Sequence, residues 1–303
     1  MTSPIPTGGW SDAGPVLVVG DVLVDVVAEH RDPIAPGSDT TARIRLSGGG
    51  SAANAAAWLA SLDVDVRLFA AVGDDDLGHR ARSDLEATGV TFAGPVLEGV
   101  ATGACVVLVG PDGDRTMLPD RGANDHLPVA AVIDALDPLP AWLHLSGYAL
   151  LGEGSRNAGK AVLSAALAAG CPVSVDAASS APLRAVGADA FAAWIDGAEL
   201  LFANDDEVEA LGGVRTLLDH VGAVVVKHGP AGASWTDGVE TVVADGLAVD
   251  LVDPTGAGDA FAAGWIAARR RGESVAGALA AAVAVGATAV TRHGARPEAG
   301  GGR

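Results

Sequence analysis

A doubly wound α/β fold, with a mostly parallel central sheet flanked by helices and a small antiparallel β-layer at one edge, is predicted by three observations. Short β-branched runs alternate with Ala/Leu-rich stretches along almost the whole chain, and 49% of its residues are apolar. Several strand candidates are uninterrupted apolar runs, as helices on both faces of a parallel sheet require. The 303 residues show no internal repeat, linker or composition break. One large domain over 1–303 is therefore expected rather than two average ones.

The elements follow in order. Val16–Val19 is the first strand. Val22–Leu46 breaks the rhythm: Asp32-Pro33 and Pro36-Gly37 supply turn chemistry, no helix intervenes, and a strand pair is expected. A helix at Ala52–Ser61, a strand at Val66–Ala71 and a helix at Gly78–Thr88 come next. Gly103–Leu118 is a second strand pair, folded about Pro111-Asp112-Gly113-Asp114. The regular alternation then resumes, with strands at Trp142–Ser146, Val173–Asp176, Leu200–Ala203 and Ala223–Lys227. Helices are expected at Gly154–Ala169, Asp205–Leu211, Ala257–Arg271 and Ala276–Thr291. The last is nearly uncharged but shorter than a membrane span and rich in Ala and Gly, so it reads as a buried helix. Residues 1–15 and 297–303 read as loose ends.

Charge narrows the function. Nineteen Lys+Arg stand against 38 Asp+Glu, a formal net charge of −19. Such a surface repels nucleic-acid backbones and anionic membranes, and neither is expected as a partner. Any phosphate must be held by local devices: backbone amides, a helix N-terminus or a metal. Cys105 and Cys171 each lie inside an apolar run, which suits two buried thiols in a reduced cytoplasm. No basic, apolar leader opens the chain, and a cytoplasmic location is expected. The two lysines, Lys160 and Lys227, lie outside any G-x-x-x-x-G-K-[ST] pattern, which excludes a P-loop. No G-x-S-x-G, H-E-x-x-H or cysteine cluster occurs.

Two motifs carry chemistry. Asp253-Pro254-Thr255-Gly256-Ala257-Gly258-Asp259 joins a strand-like segment to a helix with Phe261, Trp265 and Ile266 on its apolar face. The small residues 256–258 leave the helix's first N–H groups open, and with the dipole they form an anion site. Asp259 beside them is placed to take a proton from a hydroxyl attacking a bound phosphoryl group. A first-turn Asp that merely complements the dipole is the plainer reading, and the complete run argues against it. The second motif, Ser47-Gly48-Gly49-Gly50-Ser51-Ala52-Ala53-Asn54, also opens a helix. Gly48, Gly50 and Ala53 fit a dinucleotide-binding G-x-G-x-x-A, with Asp74 following at about the right distance. Clustered glycines followed by Asn equally suit the close approach of a polyhydroxylated ligand.

Together these segments resemble the two signatures of the ribokinase-like (PfkB) carbohydrate kinase family. The first spans Gly49 to Asn54 with Ala71-Val72-Gly73-Asp74-Asp75, and the second Asp253 to Asp259. Gly20-Asp21 with Asp25, Arg121-Gly122-Ala123-Asn124, Asn204 to Glu207, Lys227-His228-Gly229 with Gly232, and Ala289 to Ala295 follow the family's order. The resemblance implies an ATP- and Mg²⁺-dependent kinase. Asp259 would be the general base and the amides of Gly256, Ala257 and Gly258 the anion hole. Asp25, Gly49, Gly50 and Asn54 would hold acceptor hydroxyls. Asn204 and Glu207 would organise Mg²⁺ and its waters, with Lys227, Gly229 and Gly232 at the nucleotide. Asp253, Thr255, Arg292 and Gly294 would lie in loops that bind a monovalent cation such as K⁺. The strand pairs at 22–46 and 103–118 would form the family's β-lid, which often makes a homodimer contact.

Without the resemblance, Asn204 to Glu207 reads as a helix cap and Lys227 as an ordinary strand-end lysine. Asp176-Ala177-Ala178-Ser179-Ser180 lacks the Asn and Arg of the D-x-N-x-R pattern found in family members acting on acidic sugars. A small neutral sugar is therefore the expected acceptor, with a nucleoside as the alternative. From other classes, a Rossmann oxidoreductase would leave Asp253–Asp259 without a task, and a non-catalytic sensor would have no need of Asp259.

Overall fold

The structure, a computed structural model, describes residues 14–298; the expected loose ends fall largely outside them. The strands are β1 (Val16–Val19), β2 (Leu23–His30), β3 (Ala42–Gly49), β4 (Val66–Phe69), β5 (Val72–Gly73), β6 (Thr91–Phe92), β7 (Val96–Leu97), β8 (Ala104–Val109), β9 (Arg115–Asp120), β10 (Trp142–Ser146), β11 (Val173–Asp176), β12 (Leu200–Asn204), β13 (Ala223–Lys227), β14 (Gly232–Thr236) and β15 (Thr241–Asp245). Nine of them form one sheet in the order β15-β14-β13-β12-β11-β10-β1-β4-β6. It is parallel from β6 to β13, and β14 and β15 add antiparallel strands at one edge. The chain moves from β1 to β4 on one side and returns to β10 on the other, so strand order reverses between β1 and β10. In open α/β sheets, ligands bind outside the carboxyl ends of the strands at such a switch point.

Two apolar layers cover the sheet. One packs the Ser51–Ser61, Ala257–Arg270 and Val275–Ala289 helices against it; the other packs the Val129–Asp134 and Arg156–Ala168 helices on the opposite face. Phe202 on β12 is fully buried, its ring edge-on to those of Phe261 and Trp265 at 6.3 Å each. This contact seats the helix that follows Asp253–Gly256. Small residues allow the close approach: Gly264 lies where an added Cβ would be 3.0 Å from the Ala282 Cα of the neighbouring helix.

The two segments that break the α/β rhythm form a separate four-stranded sheet, β3-β2-β8-β9, antiparallel within each segment but parallel where β2 meets β8, in the position the resemblance assigns to a lid. Its strands run on to Gly49 and Asp120, past the expected limits at Leu46 and Leu118. The period-2 alternation gives it two faces. Arg45, Val27, Val107 and Met117 share one row facing the main body, and Leu46, Val26, Val106 and Leu118 share a row facing away.

Several boundaries differ from the sequence reading. The expected Gly78–Thr88 helix spans Asp76–Glu86, because the Asp75 side chain accepts from Gly78 N at 2.8 Å and caps it earlier. Short helices at Ser180–Val186 and Ala188–Trp194, and the β14–β15 pair, were not anticipated, since none carries a sustained period. Cys105 and Cys171 are free and buried, as expected. Among the described residues, no helix is long and apolar enough to cross a membrane.

Candidate active site

The two sequence motifs meet at their helix starts. Gly256 caps the Ala257–Arg270 helix with φ +77°, and an added Cβ there would lie 2.6 Å from Ala295 O. Left-handed backbone and close approach together demand glycine. Asp259, in the first turn, accepts from Ser51 Oγ at 2.8 Å and from Asn54 Nδ2 at 2.9 Å, both on the Ser51–Ser61 helix. Burial pushes its carboxyl up to about 7 and the Asp176 carboxylate adds to this, while Asn54, Ser51 and Lys227 pull the other way. A proton acceptor near neutral pH is what general-base catalysis calls for.

The other side of Asn54 is built on β2 and the glycine run. Asp25, 7% exposed, lies against Gly49 so closely that a Cβ at 49 would be 2.3 Å from its Oδ1. Burial raises its carboxyl to about 6, offset in part by Arg296. Gly50, at φ +91°, has no room for a side chain against Asp21 O. Asn54 Oδ1 accepts from Arg296 Nε at 3.1 Å, and Arg296 Nη2 donates to Gly49 O at 2.6 Å. Asp25, Gly49, Asn54 and Asp259 are thus linked in one cluster, through Asn54 and Arg296. Arg296 escaped the sequence reading because a lone Arg beyond Gly294-Ala295 has no motif.

Asp21 also gains a definite task. Its carboxylate accepts from Ser51 N at 3.1 Å, Ala52 N at 3.3 Å and Ser146 Oγ at 3.1 Å. The first amides of the glycine-run helix are therefore bonded to a carboxylate, the wrong partner for a pyrophosphate. This removes the basis of the dinucleotide reading.

On the other side of Asp259, Lys227 on β13 donates to Asp176 Oδ2 at 2.8 Å, with its side chain 14% exposed. Its Nζ stands 3.1 Å from where a Cβ on Gly258 would be. Burial opposes the Lys227 charge, but the Asp176 and Glu207 carboxylates outweigh it and hold the ammonium above its usual range. Lys227 is no ordinary strand-end lysine: it stands beside the 256–258 turn. Asp176, read in the sequence only as a departure from D-x-N-x-R, is its partner. Asn204 and Glu207 form a reciprocal capping box, Asn204 Oδ1 accepting from Glu207 N at 2.9 Å and Glu207 Oε2 from Asn204 N at 2.8 Å. The helix-cap reading is correct, and the buried Glu207 carboxylate still lies close enough to Lys227 to feel its charge. Gly229, at φ +56°, and Gly232, at φ +106° against Ala244 O, shape the turn after β13. His228 fixes that turn through Asp205 at 2.8 Å and Ser234 at 2.9 Å.

The loops around Asp253 and Gly294 do meet: Gly294 N donates to Asp253 Oδ2 at 3.1 Å. Arg292 points elsewhere, its guanidinium 5.8 Å from the Trp58 ring centre. Arg115, from β9 of the lid, donates through Nη1 to Asp253 Oδ1 and Thr255 Oγ1. Asp25, Arg45, Ser47, Arg115, Asp253 and Thr255 line one pocket beneath the lid.

The Asp259 carboxylate, the Lys227–Asp176 pair and a helix start that no side chain caps gather at the carboxyl ends of β11 and β13, where open α/β sheets bind ligands. The chain matches the model of the pfkB family carbohydrate kinases over residues 14–299 and belongs to that family. It is an ATP-dependent sugar kinase of the ribokinase type. It is 37% identical over 289 residues to the ATP-dependent ribose-1-phosphate kinase of Halopiger xanaduensis, with 93% of each chain covered. It is 26% identical to the ribokinase of Bacillus subtilis, covering 87% of this chain and 88% of that one. The structure of a putative ribokinase II from E. coli in complex with ATP and Mg²⁺ superposes with TM-score 0.83 at 27% identity, over 93% of this chain and 94% of the other.

Proposed function

We propose that this kinase transfers the γ-phosphoryl group of ATP to a hydroxymethyl group of a small sugar bound between Asp25 and Asp259. The observation that carries the reading is the Asp259 carboxylate, held by Ser51 and Asn54 at the open start of the Ala257–Arg270 helix. Asp259 takes the acceptor proton as the hydroxyl oxygen attacks in line. The amides of Gly256 and Gly258 would face the transferring phosphoryl group, that of Ala257 joining them on release from Pro254 O, to which it donates at 3.3 Å, and the Lys227 ammonium beside Gly258 adds positive charge there. Asp25, Gly49, Gly50 and Asn54 orient the acceptor, and the lid excludes water. Gly229 and Gly232 shape the turn against which the nucleotide lies.

Among the described residues, no group of three or more His, Cys, Asp or Glu is arranged to hold a metal ion. The Glu207 and Asp176 carboxylates, both close enough to act on the Lys227 charge, are the groups that would hold a Mg²⁺ brought in by the nucleotide's phosphates. The ion would neutralise phosphate charge.

A second reading of the acceptor has its own observation. The pocket above Asp25 is lined by Arg45, and a guanidinium is the natural partner of a phosphate. With the 37% identity to a ribose-1-phosphate kinase, this favours a phosphorylated sugar over the neutral one expected from the sequence. ADP release across neutral pentoses and hexoses, pentose 1-phosphates and nucleosides tests both. Turnover confined to neutral acceptors removes the second reading, and no acceptor-dependent release at all removes the first.

The Asp259 environment fixes a pH dependence. Its carboxyl, raised to about 7, must be ionised to act, so kcat/KM is expected to fall about tenfold per pH unit below that value. A profile flat down to pH 5 would exclude Asp259 as the base.

We also propose that two copies pair through the outer lid face, where Leu46, Val106 and Leu118 are exposed around the Val26 row position. Val106→Asp with Leu118→Asp is expected to halve the mass measured by light scattering; an unchanged mass would place the contact elsewhere.

A further inference from the structure

We propose that Arg115 is a positioning residue: its guanidinium occupies the charge position that a monovalent cation would take at Asp253, and so ties the lid to the phosphoryl-transfer turn. This rests on the reading of Asp253–Asp259 as that turn.

The family resemblance implies a monovalent cation for these loops. Asp253 is 2% exposed, and its carboxylate is already filled. Oδ1 accepts from Thr255 N at 2.8 Å and from Arg115 Nη1, and Oδ2 accepts from Gly294 N at 3.1 Å. The same Arg115 Nη1 reaches Thr255 Oγ1. A metal cation seeking the Asp253 and Thr255 oxygens would meet an always-charged guanidinium bonded to both. Like charges at contact distance repel, and the Asp253 and Thr255 side-chain oxygens already accept from N–H donors. The residues present do not fit the ion; they fit an arginine.

Position gives this contact a consequence. Arg115 opens β9, at the end of the lid hairpin, where it pairs with Val109. Asp253 and Thr255 immediately precede Gly256. The other wall of Gly256 is Ala295, whose carbonyl accepts from Trp58 Nε1 at 2.9 Å. One guanidinium therefore connects a strand of the lid to the backbone that presents the amides of 256–258. When the lid is in place, the turn is clamped between Arg115 and the 294–295 loop. When the lid lifts, Asp253 loses its counter-charge and the turn loses that clamp. A misplaced anion hole slows the chemical step more than it weakens ground-state binding.

The test compares wild type with Arg115→Met and Arg115→Lys in K⁺, Na⁺ and tetramethylammonium at equal ionic strength, reading initial rates and thermal melting. Wild type is expected to show rates within about twofold across the three cations and one melting temperature. Arg115→Met is expected to lose about tenfold or more in kcat in tetramethylammonium, with KM for ATP within about twofold. K⁺ or guanidinium ion should restore much of that loss. Arg115→Met should also acquire a K⁺-dependent rise in melting temperature that wild type lacks, because a cation then binds only the folded state. Arg115→Lys, which keeps the charge, should stay cation-independent. Strong K⁺ activation of wild type would overturn the proposal. So would an Arg115→Met enzyme with normal kcat and only a raised KM for a phosphorylated acceptor, the pattern of an anion subsite. If Arg115→Met does not fold, wild type and Arg115→Lys decide alone: K⁺ activation of either overturns the proposal, and cation-independence of both upholds it. The melting readout needs no turnover, so failure of the kinase reading and failure of this one are separable.

Discussion

Asp259→Asn is expected to lower kcat by about a thousandfold while ATP binding is unchanged, the loss typical when a positioned proton acceptor is removed. Asn keeps the shape and can still meet Ser51 and Asn54, but it cannot take the hydroxyl proton. Single-turnover ADP release, beside calorimetric titration with ATP, separates the two effects. A second consequence concerns stability. The Asp259 carboxyl is held at about 7, above its ordinary value of 3.8. The folded state therefore binds that proton more tightly than the unfolded chain, and the stability this contributes is lost as pH rises through about 7. Asn has no such proton to lose. At pH 8 the variant should melt no lower than wild type while being nearly inactive. A variant that is inactive because it is unfolded, or that retains wild-type turnover, would count against the assigned role.

Gly256→Val is expected to cost about a hundredfold or more in kcat, as loss of one aligned donor to a developing charge does elsewhere. Two causes act together. The residue is at φ +77°, where a β-branched side chain is strongly disfavoured, and its Cβ would lie 2.6 Å from Ala295 O. Relief requires the turn or the 294–295 loop to shift, and either movement re-aims the amides of 257 and 258. Because the helix is anchored by Phe261 and Trp265 against Phe202, the rest of the fold should survive. A far-ultraviolet spectrum unchanged from wild type, with kcat reduced and KM for ATP nearly constant, is the expected pattern. Normal turnover would mean that the turn does not face the transferring group.

Much of this arrangement was legible before any coordinates. Apolar runs such as Val16–Val19 and Leu200–Ala203 specify buried strands because both faces must lose water, whatever their neighbours. The lid pairs were visible because Pro-Gly and Asp-Gly turns interrupt the helical rhythm at Val22–Leu46 and Gly103–Leu118. The Asp253–Asp259 run carried its chemistry locally, since a helix start, its amides and a first-turn carboxylate are set by a few consecutive residues.

Other features had no local sign. Lys227 and Asp176 are 51 positions apart, and Arg115 and Asp253 are 138 apart; neither pairing follows from a period or a motif. The short helices at 180–194 and the β14–β15 edge owe their form to tertiary contacts rather than to propensity. By itself, the sequence determined the α/β core, the positions of the two glycine-rich helix starts, and the carboxylate and amides of Asp253–Asp259, because each depends on interactions within a few residues. The tertiary structure alone decided which distant charges neutralise one another: Lys227 with Asp176, Arg296 among Asp25, Asn54 and Gly49, and Arg115 on Asp253. Coulombic and hydrogen-bond partners are chosen by distance in space, and the fold sets that distance.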